Sequence, residues 1–393
     1  MPVQFSRRNF AKTVGATFGA TMIAEHITLE AAEARLPRGF SPNTVILNSN
    51  ENPYGPSKKA IEAMKRALGA SARYPDALID EMRETVARLH GVTTEQVALG
   101  CGSGDILRVA AQAFLAPGRE IVMAEPTYEE MWHHARTTGA VQKIVPVTPD
   151  FRHDLPGMAA ASNANTGLVY LCNPCNPTGT IVYRDELEAF VERVPRNAAI
   201  VVDEAYHHFV EDAKYGSAFD LLSRAPNVVI ARTFSKIFGM AGMRLGYAVA
   251  SAEMIGRMGR FGLWNPLNAA VVEAGLASLN DAAHVAQQRK LNNETREWTC
   301  AELTREGRRC IPSHTNFFMV DVGRDVGEVA PEFRKREVLV GRKFPPMNNW
   351  LRVSVGTRKE MQAFLKALRE VVPVHPEAAA QGGSRRASAA KAA

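Results

Sequence analysis

Between Glu95 and Ala250 the chain alternates short runs that are apolar at every position with longer stretches whose apolar residues recur at helical spacing. The continuous runs are Val97–Leu99, Ile121–Met123, Leu168–Leu171, Ile200–Val202, Val228–Ile230 and Leu245–Val249. Each has strand length and no polar alternate, so each reads as a strand covered on both faces. Such strands, interleaved with helices, predict an α/β fold with a mainly parallel sheet, whose ligands lie beyond the strand ends. A helical pattern from about Asp281 to Glu306 leads out of this region. Beyond it, Phe317–Val320, Val338–Gly341 and Leu351–Val355 read as strands, with helical patterns at about Val329 and Lys359. That predicts a second, smaller α/β domain.

The bulk properties agree with an enzyme-sized globular protein. A chain of 393 residues with 46% hydrophobic content exceeds what one core usually holds, which suits two domains. The net charge of +6 is spread along the chain without a basic block or basic–aromatic interleaving, so no nucleic-acid partner is expected. The five cysteines form no even framework, and Cys172 and Cys175, though at dithiol spacing, sit in a Pro-rich loop. His133–His134 and His207–His208 are adjacent pairs whose side chains diverge, so no metal is implied.

The ends read differently. Ser6-Arg7-Arg8-Asn9-Phe10-Ala11-Lys12, the mild apolar stretch Thr13–Ala24 and the small-residue site Ala32-Glu33-Ala34 resemble a twin-arginine export signal over residues 1–34. Periplasmic location through the twin-arginine translocase is therefore expected, or a cytoplasmic one if the leader is unused. The apolar stretch is too short and too rich in Gly and Thr to remain as a membrane anchor. Residues 376–393, rich in Ala, Gly, Ser and Arg, read as a disordered tail.

Chemistry concentrates after the strands. Arg232-Thr233-Phe234-Ser235-Lys236, followed by Gly239, Gly242 and Arg244, offers one amine, two hydroxyls and a forked cation, a set suited to a carbonyl cofactor carrying a phosphate. Pyridoxal phosphate has that description. Asp203, at the end of an apolar strand, needs a cationic partner, and a protonated pyridine nitrogen supplies one. Asn176, in the Pro-rich turn Asn173–Gly179, and Tyr206 are placed to donate to a ring oxygen. Gly100–Asp105 opens a helical pattern, so Ser103 and Gly104 offer backbone N–H groups to a phosphate. Tyr128 offers a flat ring.

In order along the chain, Leu47–Pro56, Arg73-Tyr74-Pro75-Asp76, the Gly-rich turn, Pro126-Thr127-Tyr128, Asn173–Gly179, Asp203–Tyr206, the Lys236 segment and Leu351–Thr357 resemble the fold-type I pyridoxal-phosphate enzymes of the class I/II aminotransferase group, in particular the histidinol-phosphate aminotransferase family. The resemblance runs from about Leu36 to Val372. It implies a large domain over 69–280 with a mostly parallel seven-stranded sheet, a small C-terminal domain over 281–375, and an arm over 35–68 packing on the small domain. It implies that Lys236 binds the cofactor aldehyde, Asp203 the pyridine nitrogen, Asn176 and Tyr206 the ring oxygen, and Ser103, Gly104, Thr233, Ser235 and Arg244 the phosphate, with Tyr128 stacked on the ring. Tyr74 is implied to reach the phosphate of the neighbouring subunit in a homodimer. Arg352 is implied to bind the acceptor's carboxylate and Arg342 the substrate phosphate, with Asn52 and Tyr54 at the substrate. The implied reaction is ping-pong transfer of an amino group between L-histidinol phosphate and 2-oxoglutarate, with Lys236, near neutral pKa, moving the proton. The leader, and Ile106 where the family's Gly-rich turn ends in Glu, leave room for an exported aromatic or broad-specificity amino-acid aminotransferase, or a phospho-amino-acid decarboxylase. A non-catalytic cofactor- or solute-binding protein fits poorly with intact Lys236, Asp203 and Tyr206.

Overall fold

A short strand, β1 (Val45–Leu47), precedes the main sheet, which is built from β2 (Val97–Gly100), β3 (Glu120–Glu125), β4 (Val141–Pro146), β5 (Thr166–Cys172), β6 (Ala199–Asp203), β7 (Val228–Thr233) and β8 (Gly246–Ala250). The computed structural model describes residues 41–373 apart from Trp264; the leader over 1–34, the start of the arm and the tail over 376–393 lie outside the described residues. The strand order is β2-β8-β7-β6-β5-β3-β4, parallel except for β8. All six runs read from the sequence are in this sheet. The seventh strand, β4, has no apolar run to announce it: Val141-Gln142-Lys143-Ile144-Val145-Pro146 is an edge strand with no fully buried position, where charge and Pro are tolerated.

Strand periodicity divides the core between two faces. Tyr170, Cys172, Val201 and Ala231 pack on one side with α3 (Ser103–Phe114), after α1 (Lys58–Ala67) and α2 (Asp76–His90) in the chain. Leu171, Val202 and Ile230 pack on the other, against α5 (Leu155–Ala161) and α6 (Arg184–Arg193), which follow α4 (Glu130–Thr137). Both faces are covered, as a parallel sheet requires.

After α7 (Ala252–Gly259) and α8 (Ala269–Leu279), the 24-residue helix α9 (Ala282–Arg305) crosses to the C-terminal region. Its buried face is largely polar: Asn293 Nδ2 donates to Phe209 O at 3.0 Å, and Arg296 Nη1 donates to Thr315 O at 2.7 Å. It thereby bonds to loops on both sides of the crossing. The C-terminal region holds β9 (Cys310–Ile311), β10 (Phe317–Asp321), α10 (Val326–Arg334), β11 (Val338–Val340), β12 (Trp350–Ser354) and α11 (Arg358–Val371). A capping box between Thr357 and Glu360 starts α11, which buries Met361, Phe364, Leu365 and Leu368 on one stripe.

Two features refine the expected organisation. Strand β11 does not join the antiparallel sheet β12-β10-β9; it pairs in parallel with β1. The arm also divides between the two regions: β1 packs on the smaller one, whereas α1 lays Ala60, Ala63 and Ala67 toward α8 of the larger one. Small residues one turn apart permit that close approach.

Candidate active site

Strands β5, β6 and β7 end side by side, in the registers Cys172↔Asp203 and Asp203↔Ala231. Continuing the period of two puts Asp203 and Thr233 on the face that carries Tyr170 and Cys172. There they border a cavity of about 210 Å³. Asp203 Oδ2 accepts from the Tyr170 hydroxyl at 3.0 Å, and Oδ1 from the Ala205 amide at 3.1 Å. Both donors are neutral, and Asp203 makes no ion pair among the described residues. Burial pushes its pKa up to about 6, the response of a carboxylate short of a counter-charge. The next residue, Glu204, is fully paired in a buried ion pair with Arg232 on β7, at 2.7 Å, which ties the two strand ends together behind the site.

Lys236 lies on the turn after β7. Its Nζ donates to Asn50 O at 3.1 Å and sits 5.6 Å from the centroid of the Tyr206 ring. Burial, then the guanidinium of Arg352, lower its pKa to about 8. Asn50 also donates from Nδ2 to the Tyr206 hydroxyl at 3.1 Å, so one residue on the segment after β1 fixes both groups. Burial pushes the Tyr206 phenol upward, which keeps it a proton donor.

The other end of the cavity is built for an anion. Arg244 Nη1 donates to Ser235 Oγ at 3.2 Å, and Thr233 Oγ1 donates to the same oxygen at 3.0 Å. Gly102, at φ +83°, turns the chain into α3, whose first residues Ser103 and Gly104 present N–H groups with no acceptor inside the helix. A Cβ on Gly102 would strike the Arg244 guanidinium, and one on Gly246 would strike the Ser103 amide. Gly246 pairs with both Gly100 and Thr233, so antiparallel β8 locks the helix start and the lysine-bearing turn into one register. Arg244 itself holds φ +61°, a conformation costing a non-Gly residue about 1 kcal/mol or more.

On the substrate side, Arg352 Nη1 donates to Asn176 Oδ1 at 2.8 Å and Nη2 to Asn48 O at 2.9 Å. The first bond sets the Asn176 amide with its Nδ2 as the remaining donor. Burial lowers the Arg352 pKa to about 10, and its Nε is buried without a hydrogen-bond partner. The Phe344 ring lies between two guanidinium groups, 4.6 Å from that of Arg352 and 4.1 Å from that of Arg342. Arg342 is ion-paired with Glu129.

Of the residues expected from the sequence, Lys236, Asp203, Tyr206, Ser103, Gly104, Tyr128, Asn176, Thr233, Ser235, Arg244 and Arg352 all line this cavity. Arg342 stands outside it, beyond Phe344. Asn52 and Tyr54 line a small adjoining pocket instead, with Asn52 Nδ2 bonded to Ile237 O at 3.1 Å. Tyr74 is 81% exposed and takes no part in the cavity of its own chain. Asn50, Tyr170, Glu130 and Phe344 are not among the residues expected from the sequence. Tyr170, the one polar ring in an apolar strand, carries a visible signal. Glu130 carries none: its carboxylate accepts from the Tyr128 hydroxyl at 2.6 Å and lies where a Cβ on Gly104 would fall.

The donor set fits pyridoxal phosphate: an amine of lowered pKa, a buried carboxylate lacking a cation, and at the opposite end an arginine, two hydroxyls and a helix start. The sequence profile of the family described as aminotransferase class I and II matches residues 42–368. Histidinol-phosphate aminotransferase from Moorella thermoacetica is 39% identical over 334 residues, 84% of this chain and 86% of that protein. The enzyme of that name from Symbiobacterium thermophilum is 38% identical, over 83% of this chain and 90% of that protein. The crystal structure of histidinol-phosphate aminotransferase from Sinorhizobium meliloti in complex with pyridoxal-5'-phosphate superposes with a TM-score of 0.78 at 27% identity, covering 84% of this chain and 90% of that one.

Proposed function

The chain belongs to the class I and II aminotransferase family, and on that footing we propose that it transfers an amino group between L-histidinol phosphate and 2-oxoglutarate. It is a pyridoxal-phosphate-dependent enzyme. When bound, that cofactor supplies an electron sink for the pair left on the donor carbon as its proton departs. The observation that carries the reading is the amine of Lys236 and the carboxylate of Asp203 on one cavity, with the cationic end at Ser235 and Arg244 beyond them.

In this reading Lys236 would hold the cofactor's aldehyde until the donor amine takes its place, and the amine so freed would move the proton from the donor carbon, which a pKa near 8 suits at neutral pH. Asp203 faces the pyridine nitrogen. Tyr206, held by Asn50, and Asn176, held by Arg352, donate to the ring oxygen, while Tyr128 covers the ring. Ser103, Gly104, Thr233, Ser235 and Arg244 hold the phosphate. Arg352 takes the carboxylate of the 2-oxo acid, giving its unpartnered Nε an acceptor. The test is spectroscopic: L-histidinol phosphate converts the cofactor to its amine form, 2-oxoglutarate converts it back, and initial rates give parallel double-reciprocal lines. Conversion by amino acids alone would reject the substrate assignment.

One observation favours the second reading, an unphosphorylated amino-acid donor: Glu129 already neutralises Arg342. In the first reading the substrate phosphate displaces Glu129 from Arg342. Arg342→Ala is then expected to raise KM for L-histidinol phosphate about 10- to 100-fold, the loss of one or two charged hydrogen bonds, with little effect on an aromatic amino acid. Glu129→Gln, which frees Arg342, is expected to lower that KM. Equal losses on both donors in Arg342→Ala would remove the phosphate role.

A homodimer with shared sites is part of the proposal. It rests on the exposure of Tyr74 and on the family's implied use of that tyrosine at a neighbour's phosphate. Tyr74→Phe is expected to weaken pyridoxal-phosphate binding about tenfold. Mixing it with inactive Lys236→Ala subunits should leave one intact kind of site per mixed dimer; unchanged cofactor affinity in Tyr74→Phe would speak against sharing. Export through the twin-arginine translocase is proposed on Ser6–Lys12, and the N-terminal sequence of protein recovered from the periplasm tests it.

A further inference from the structure

We propose that Cys300 and Cys310 are a redox pair that closes to a disulfide by exchange with a small disulfide such as oxidised glutathione, a modification site separate from the catalytic cavity. Cys300 lies in the last two turns of α9 and Cys310 opens β9, with the reversal at Gly307, φ +76°, between them. The helix end packs on that strand. Both side chains rest against one apolar cluster formed by residues such as Leu303, Phe318 and Val320, which puts the two thiols on one patch of the C-terminal core. Both are partly accessible, whereas Cys172 and Cys175 are buried. A small oxidant therefore meets this pair before the Pro-rich dithiol that the sequence displays more openly.

Both sulfurs have a cation in their surroundings. Arg296 brings a positive charge near Cys300 and Arg308 one near Cys310, and each favours the thiolate. Either thiolate can attack first, and both orders end in the same disulfide; one of them begins at Cys300. Cys300 attacks one sulfur of oxidised glutathione, the S–S bond breaks, and one glutathione leaves as its thiolate while the other stays on Cys300. Cys310 then gives up its proton to solvent and attacks the Cys300 sulfur, releasing the second glutathione. Two cysteine thiols are oxidised and one glutathione disulfide is reduced to two thiols. The bond ties the end of α9 to β9, whose Cys310 is in register with Val320 of β10, and β10 pairs with the strand that carries Arg352.

The test uses the full chain loaded with pyridoxal phosphate, reduced and then incubated with oxidised glutathione. Titratable thiols are expected to fall by two from the five of the reduced, denatured chain, the intact mass to drop by two hydrogens, and digestion to yield one cross-linked peptide holding Cys300 and Cys310. In Cys310→Ser the reaction is expected to stop at a single glutathione adduct on Cys300. Five surviving thiols, a stable adduct in the unmutated chain without cross-link, or a cross-link through Cys101, Cys172 or Cys175 would each overturn the proposal. The peptide map of the unmutated chain decides the matter even if the serine variant does not fold.

Discussion

Lys236→Ala is expected to lower turnover of L-histidinol phosphate about 10³- to 10⁴-fold, the size of effect of losing a positioned acid–base group. Lys236→Arg is not expected to restore it, because a guanidinium stays protonated and cannot accept the substrate proton. A small primary amine added to Lys236→Ala should recover part of the rate by entering the vacated space. The pH dependence provides a sharper check. Burial and Arg352 depress the amine's pKa to about 8, so its reactive neutral form is present above that pH and is lost as pH falls through it. At pH 7 roughly one amine in ten is then neutral, against fewer than about one in a thousand for an ordinary lysine. The fraction of pyridoxal phosphate fixed to the protein by brief borohydride treatment should accordingly rise with a midpoint near pH 8. A midpoint near that of free lysine would mean that the cavity does not tune this amine.

Asp203→Asn should separate stability from function. Activity is expected to fall about 10²- to 10³-fold, as when a fixed group that stabilises developing charge is removed. The apoprotein is expected to become more stable. In the folded chain burial raises the carboxyl pKa from 3.8 to about 6, so the native state holds this proton more tightly than the unfolded chain. The cost of ionising Asp203 is absent below about pH 4, grows as pH rises, and is fully present above about 6. A carboxyl raised that far costs about 3 kcal/mol to ionise in place, which a neutral amide at the same position avoids. Urea unfolding of the two apoproteins should show a gain of about 2–3 kcal/mol for Asp203→Asn at pH 8, fading towards pH 4. A gain independent of pH, or a loss at pH 8, would show that the carboxylate is not a stored cost in the apoprotein. Saturating pyridoxal phosphate should shrink or reverse the difference, since the pyridine nitrogen pairs with the carboxylate and not with the amide.

How much of the molecule is legible in its sequence depends on where each residue's partner lies. Six strands of the main sheet are legible because their runs carry no charged alternate: five are buried along most of their length, and β2, on the sheet's other edge, stays apolar though only its end residues are buried. The exposed edge strand β4 is not, because nothing selects apolar residues there. Lys236, Asp203, Asn176 and Arg244 are legible because each sits at a strand end or tight turn whose chemistry is unusual for that place. Asn50 is not, since its bonds to Tyr206 and Lys236 span 156 and 186 positions. The same holds for Phe344, whose ring meets the guanidinium groups of Arg342 and Arg352, and for Glu129, whose neutralisation of Arg342 joins residues 213 apart. The partner of β11 is hidden likewise: three residues of the arm, Val45–Leu47, are too few to read as a strand until Val338–Val340 lies beside them.

The pairing of Gly246 with both Gly100 and Thr233 has a mechanical consequence. The helix start, the arginine of the anion end and the lysine-bearing turn all hang from one slab of sheet, whereas Asn50, Arg352 and Phe344 belong to the arm and the C-terminal strands. Arg244, Ser235 and the helix start are thus fixed by the sheet alone, whereas Lys236 and Tyr206 through Asn50, and Asn176 through Arg352, are also tied to the second group. A displacement of the arm or of the C-terminal strands would therefore reach the ring end of the cofactor site before its phosphate end, which makes the phosphate end the fixed point of the site.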